Sequence, residues 1–111
     1  MAFLDNGKTE RECVTTAIAL AEAKGFKKLE RGMKLKAGDK VYYNNCGKNL
    51  NLAVIGKEAL GANIVAAHID SPRLDLKPQP LYEDHEMAYL KTHYYGGVRK
   101  YQWVTIPLEL H

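Results

Sequence analysis

The 111-residue sequence has little cysteine, only Cys13 and Cys46, and few large aromatics beyond tyrosine, with one Trp and two Phe. Two cysteines without CxxC spacing do not make a disulfide scaffold. One falls on an expected helix and the other in an expected turn, so they read as free thiols of a reducing compartment; with a single pair, a disulfide between them stays open. No window approaches the roughly eighteen consecutive apolar residues of a membrane span. The start, Met1 to Gly7, lacks the basic stretch and long apolar run of a secretory signal. The expectation is a cytoplasmic protein with no membrane partner. A charge excess of one sign is also missing: 16 Lys+Arg against 13 Asp+Glu leave +3, spread from Lys8 to Lys100, which gives a nucleic-acid footprint weak support. Repeats and low-complexity stretches are absent, and 46% hydrophobic with 26% charged residues is the balance of an ordinary globular domain. At this length there is room for one modest core and none for a two-domain enzyme.

What is present begins at Thr9-Glu10-Arg11-Glu12, a Thr-x-x-Glu capping box ahead of an apolar-periodic run. It predicts a helix with Cys13, Val14, Ala17, Ile18 and Ala21 on its inward face and Gly25 at its end. Lys27 to Lys40 reads as a loop or turn. Lys40–Asn44 and Leu50–Gly56, around the polar Asn45-Cys46-Gly47-Lys48-Asn49, predict a β-hairpin. After a turn at Leu60-Gly61, the apolar run Ala62-Asn63-Ile64-Val65-Ala66-Ala67 predicts a strand buried on both faces and ending at His68. Asp70 to Asp84 holds all but one of the four prolines and reads as an extended or looping excursion. Met87 to Tyr95 resumes strand character until Gly96-Gly97, and Trp103 to Leu110 is apolar again. The sequence stops at His111 with no polar tail. Either it is a piece of something longer or a last edge strand ends the domain, and composition leaves both open.

The chemistry lies in Ala66-Ala67-His68-Ile69-Asp70-Ser71-Pro72. Residues two apart in extended backbone point to the same side, so Asp70 is placed to accept a hydrogen bond from one ring nitrogen of His68 while the other nitrogen binds a metal. Open α/β sheets put their sites just beyond the carboxyl ends of strands, where this pair is expected. On spacing alone His-x-Asp is a common pattern, more often a structural hydrogen bond than a metal site.

Other candidates are weaker. His93, with His68 and His85, would complete a three-histidine zinc site, but the separations match no compact ligand motif. Gly96-Gly97 belongs to neither GxGxxG nor GxxxxGK[ST] and reads as a turn or bulge. The seven tyrosines interleave with lysines, which is a stacking pattern for single-stranded nucleic acid and, more commonly, the ordinary content of half-buried strand faces. Ser71 lacks the G-x-S-x-G of a nucleophile elbow.

Taken together, Ala67-His68-Ile69-Asp70-Ser71-Pro72-Arg73-Leu74-Asp75-Leu76-Lys77-Pro78, Pro80-Leu81-Tyr82-Glu83-Asp84, Leu90-Lys91-Thr92-His93-Tyr94-Tyr95-Gly96-Gly97 and Lys100-Tyr101-Gln102-Trp103 closely resemble the aspartyl aminopeptidase family of two-zinc metallopeptidases, in its bacterial branch. Phe3 to Glu12 resembles the family's early helical region, so the resemblance covers essentially the whole chain.

The resemblance implies an α/β catalytic domain, a central mixed sheet flanked by helices, interrupted by an inserted β-rich domain that assembles large homo-oligomers. Residues 1–111 would be the start of that catalytic domain, with roughly 104–111 entering the inserted domain and the chain truncated before it is complete. His68 maps to a zinc ligand, and Asp70 to the aspartate that serves catalysis by orienting it. The bridging aspartate, the paired glutamates, the further acidic ligand and the distant histidine of the family fall outside this sequence, and His111 is not nominated. The implied activity is removal of N-terminal residues from peptides with zinc as cofactor, two ions in the full-length enzyme, with an acidic-residue preference by analogy. The 111-residue chain alone is expected to be inactive. The alternative is a non-enzymatic binding module that keeps the scaffold. A weak single-stranded nucleic-acid binder, with steep salt dependence, is a third reading.

Overall fold

The Thr9 capping box forms as the sequence predicts. The helix it starts, α2 (Glu10–Ala23), follows a short α1 (Ala2–Asn6) in a computed structural model that describes residues 2–58 and 61–111. Thr9 Oγ1 accepts from the Glu12 amide at 3.4 Å, and Glu12 Oε2 accepts from the Thr9 amide at 2.8 Å, which satisfies two amides that have no helical acceptor. At the other end the Phe26 amide bonds the Ala21 carbonyl at 3.0 Å and the Gly25 amide bonds the Glu22 carbonyl at 2.9 Å. This paired stop places Gly25 in the left-handed region, at φ +83°, where a side chain would be strained.

The chain divides into two units, Met1–Asp70 and Ser71–His111. In the first, β1 (Lys27–Lys28), β2 (Lys40–Asn45) and β3 (Asn49–Val54) form a sheet in the order β1-β2-β3, with β1 parallel to β2 and β2 antiparallel to β3. It is a small mixed sheet in a mixed α/β arrangement. The expected hairpin is β2–β3; its ladder closes at Asn45 opposite Asn49, and Asn44 Oδ1 accepts from the Gly47 amide at 2.8 Å. The buried side chains are Cys13, Val14 and Ala21 on α2 and Val41 and Tyr42 on β2. Ala17 and Ile18, also expected inward, are half-buried. Both cysteines are free, Cys13 buried and Cys46 exposed.

One expectation is overturned. Residues 62–67 form no strand: they run without regular structure, and Ile64 and Val65 are 84% and 97% exposed. A strand buried on both faces needs ladder partners and covering layers, and no described strand pairs with this segment. The expected turn before it begins at Leu60, which lies outside the described residues; Gly61 has φ +94°.

The second unit is a long antiparallel hairpin, β4 (Arg73–Asp84) and β5 (Met87–Tyr95), followed by a short α3 (Lys100–Trp103). Asp70 to Asp84 is thus extended, but most of it is a paired strand and not a loop. Register explains how it holds its prolines: Leu76 pairs with Thr92 and Leu81 with Leu90, so Lys77 to Pro80 bulges opposite Lys91 alone. Pro78 and Pro80 have no N–H to give a ladder, and a bulge is where a strand accommodates them. His85 and Glu86, at φ 51° and 59°, make the tight turn whose twist matches paired strands. Residues 104–111 contain no strand, against the reading of a terminal edge strand.

Candidate metal site

His68 and Asp70 stand at the end of the first unit, just before Ser71-Pro72. His68 Nδ1 lies 3.1 Å from Asp70 Oδ1 and 2.9 Å from the Asp70 carbonyl oxygen. Both neighbours are acceptors, so the neutral ring keeps its proton on Nδ1 and donates it to them. The lone pair then sits on Nε2, the tautomer of a histidine poised to ligate a metal. The two side chains differ in exposure, 76% for His68 and 7% for Asp70: the carboxylate is the fixed partner and the ring projects outward from it. The orientation predicted from the spacing is therefore present. The buried strand that was to deliver it is not.

Asp70 also reaches the helix. Burial pushes the Cys13 thiol pKa up, and the Asp70 carboxylate, followed by Glu12 and Glu10, adds to that rise by disfavouring a thiolate. The side chain that orients His68 thus lies within electrostatic range of the first turn of α2.

An imidazole with its Nδ1–H held by a carboxylate has the chemistry to ligate a metal through Nε2, but among the described residues no three His, Cys, Asp or Glu side chains converge to hold an ion. His85 Nδ1 pairs with Asp84 Oδ1 at 2.9 Å in the exposed hairpin turn. His93 faces Asp75 across β4–β5, and Asp75 Oδ1 accepts from Arg73 Nε at 2.8 Å, while the Arg73 guanidinium lies 4.0 Å from the centre of the Tyr95 ring. This polar cluster was not singled out from the sequence, although the Arg73-x-Asp75 spacing carries the same signal as His68-x-Asp70. Six of the seven tyrosines lie on strands and Tyr101 on α3; Tyr82 and Tyr89 are cross-strand partners stacked at 5.2 Å, with Lys91 5.0 Å over Tyr82. The chain bends at Gly96-Gly97. Gly96 has φ +80°, and a Cβ there would lie 3.4 Å from Pro72 Cβ.

Among the described residues no helix is long and apolar enough to cross a membrane. Residues 3–111 match the family described as aminopeptidase I zinc metalloprotease (M18). A probable M18 family aminopeptidase 1 of Clostridium acetobutylicum is 59% identical over 98% of this chain and 25% of its own length. The crystal structure of aminopeptidase I from Borrelia burgdorferi B31 superposes with a TM-score of 0.86 at 42% identity, over 96% of this chain and 27% of that one. The M18 aminopeptidase structure from Thermotoga maritima gives 0.85 at 44% identity, over 96% and 24%. The chain spans about a quarter of the length of the curated relatives it matches. With 109 of its residues inside the family match and this agreement in fold, the chain belongs to the M18 family of aminopeptidase I zinc metalloproteases.

Proposed function

We propose that this chain supplies His68 as a zinc ligand, and Asp70 as the residue that positions it, to an aminopeptidase several times its length. The observation that carries the reading is the pair of oxygens on His68 Nδ1, at 2.9 and 3.1 Å, which turns Nε2 outward with a free lone pair. Zinc, when bound, lowers the pKa of a coordinated water toward neutrality and polarises a peptide carbonyl. The Asp70 carboxylate keeps the imidazole in one tautomer and fixes its plane. The second zinc ion, the bridging and base carboxylates and the remaining ligands belong to the rest of the full-length protein. A lone histidine with one adjacent carboxylate does not enclose an ion, so residues 1–111 by themselves bind zinc weakly and do not turn over.

The substrates of the parent enzyme are peptides with a free N-terminus, with a preference for acidic N-terminal residues. It works in the cytoplasm as a homo-oligomer, and residues 104–111 lead into the domain that assembles it. Aminoacyl reporter substrates with free and blocked α-amino groups test the activity. The full-length enzyme is expected to cleave only the free ones and to lose activity on chelation. Equal cleavage of both would contradict the requirement for a free α-amino group, and cleavage of neither with zinc bound points to the binding-module alternative.

A further inference from the structure

Although cations occur from Lys8 to Lys100, seven of the sixteen fall between residues 24 and 40: Lys24, Lys27, Lys28, Arg31, Lys34, Lys36 and Lys40. Only Glu30 and Asp39 oppose them, a local excess of five charges in a chain whose total is +3. All seven are exposed. Among the described residues none of them forms an ion pair. Apart from the Glu30 carboxylate, the nearby acceptors are already engaged, one of them by Lys40 itself. Glu22 accepts from Tyr42, Asp39 Oδ2 accepts from the Lys36 amide at 2.8 Å, and the carbonyls of Ala21 and Glu22 at the negative end of α2 are closed by the Gly25 and Phe26 amides. The Lys24 carbonyl takes Lys40 Nζ at 3.2 Å.

Three of these cations, Lys24, Lys27 and Lys40, line a concavity of about 380 Å³ together with Met33, Val41 and Asp39 among others. Its rim is cationic and part of its wall is apolar, with Met33 42% exposed. Large enough for one or two side chains, it has no aromatic face open to a base: Phe26, the one aromatic of this stretch, lies under Lys40 Nζ at 5.8 Å. Met33 and Leu35 are the only large apolar side chains exposed there, too few for insertion into a lipid surface.

From this charge complementarity we infer that the surface formed by residues 24–41 docks an acidic peptide segment, whose carboxylates meet Lys24, Lys27 and Lys40 while an apolar side chain enters beside Met33. The inference stands apart from the proposed peptidase chemistry and its test reads binding alone. The probe is a fluorescein-labelled peptide alternating Glu and Asp with Leu, followed by anisotropy with the full chain at low and physiological ionic strength. Binding is expected to weaken with salt. Lys24→Glu with Lys27→Glu should weaken it by about tenfold, on the order of two lost exposed attractions and two new repulsions. Lys57→Glu with Lys77→Glu, the same charge change outside the surface, should leave it unchanged. Met33→Ala should weaken it several-fold without altering charge. If circular dichroism shows the first variant unfolded, Lys34→Glu with Lys36→Glu, in the irregular loop, carries the same expectation. Equal losses in the inner and outer charge reversals would overturn the inference. So would tighter binding of a single-stranded oligonucleotide, or of vesicles containing phosphatidylserine, than of the peptide.

Discussion

The Tyr42 hydroxyl donates a 2.7 Å hydrogen bond to Glu22 Oε1, joining the last turns of α2 to the middle of β2. This bond, then burial, then the Glu22 charge raise the Tyr42 pKa above that of a free phenol. The folded state therefore favours the protonated phenol. Its contribution is fully present below the unfolded-state pKa and is lost as pH rises through the higher folded-state value. Urea unfolding across the alkaline range is expected to show stability falling there more steeply than in Tyr42→Phe, which lacks the titrating group. Parallel slopes for the two proteins would contradict this.

Thr9→Ala removes the acceptor of the Glu12 amide and half of the reciprocal cap. It is expected to cost about 1 kcal/mol, and Thr9→Ser to cost much less because its hydroxyl bonds in the same way. Urea midpoints at constant slope measure both.

Gly7 is buried where a Cβ would lie 2.6 Å from Cys13 Sγ and 3.0 Å from the Phe3 carbonyl oxygen. Gly7→Ala is an overpacking change expected to destabilise by about 1–3 kcal/mol. Cys13→Ala removes the sulfur that the methyl would meet, so the double variant should lose less than the sum of the two singles. Additive losses would place the clash elsewhere.

The two thiols should separate kinetically. Cys13 is 2% exposed and its pKa is raised by burial and by the nearby carboxylates, whereas Cys46 is exposed in the β2–β3 turn. Native-state alkylation is expected to label Cys46 first, and Cys13 only on unfolding, because the thiolate is the reacting form. Prompt labelling of Cys13 would contradict the burial described.

Local signals were legible in the sequence where one short segment carries all the partners. The Thr9–Glu12 box, the Gly25 stop, the β2–β3 hairpin and the orientation of His68 by Asp70 each depend on residues within a few positions of one another. The segment 62–67 was misread for the opposite reason. An apolar run records that burial is needed, not which strands provide it, and no described strand pairs with it. The prolines of β4 misled similarly: their cost depends on register, and register places Pro78 and Pro80 in the bulge opposite Lys91. The cationic surface escaped a whole-chain charge count because the excess between residues 24 and 40 is diluted by acidic residues elsewhere.

The central claim is that His68 holds zinc and Asp70 positions it. Zinc content and aminopeptidase rate of the full-length enzyme, measured together for His68→Ala and Asp70→Asn, test it most directly. His68→Ala should lose bound metal and nearly all activity. Asp70→Asn should lose about ten- to a hundredfold in affinity or rate and recover in part with added zinc. His85→Ala and His93→Ala should be milder. Near-normal zinc content and rate in His68→Ala would contradict the assignment.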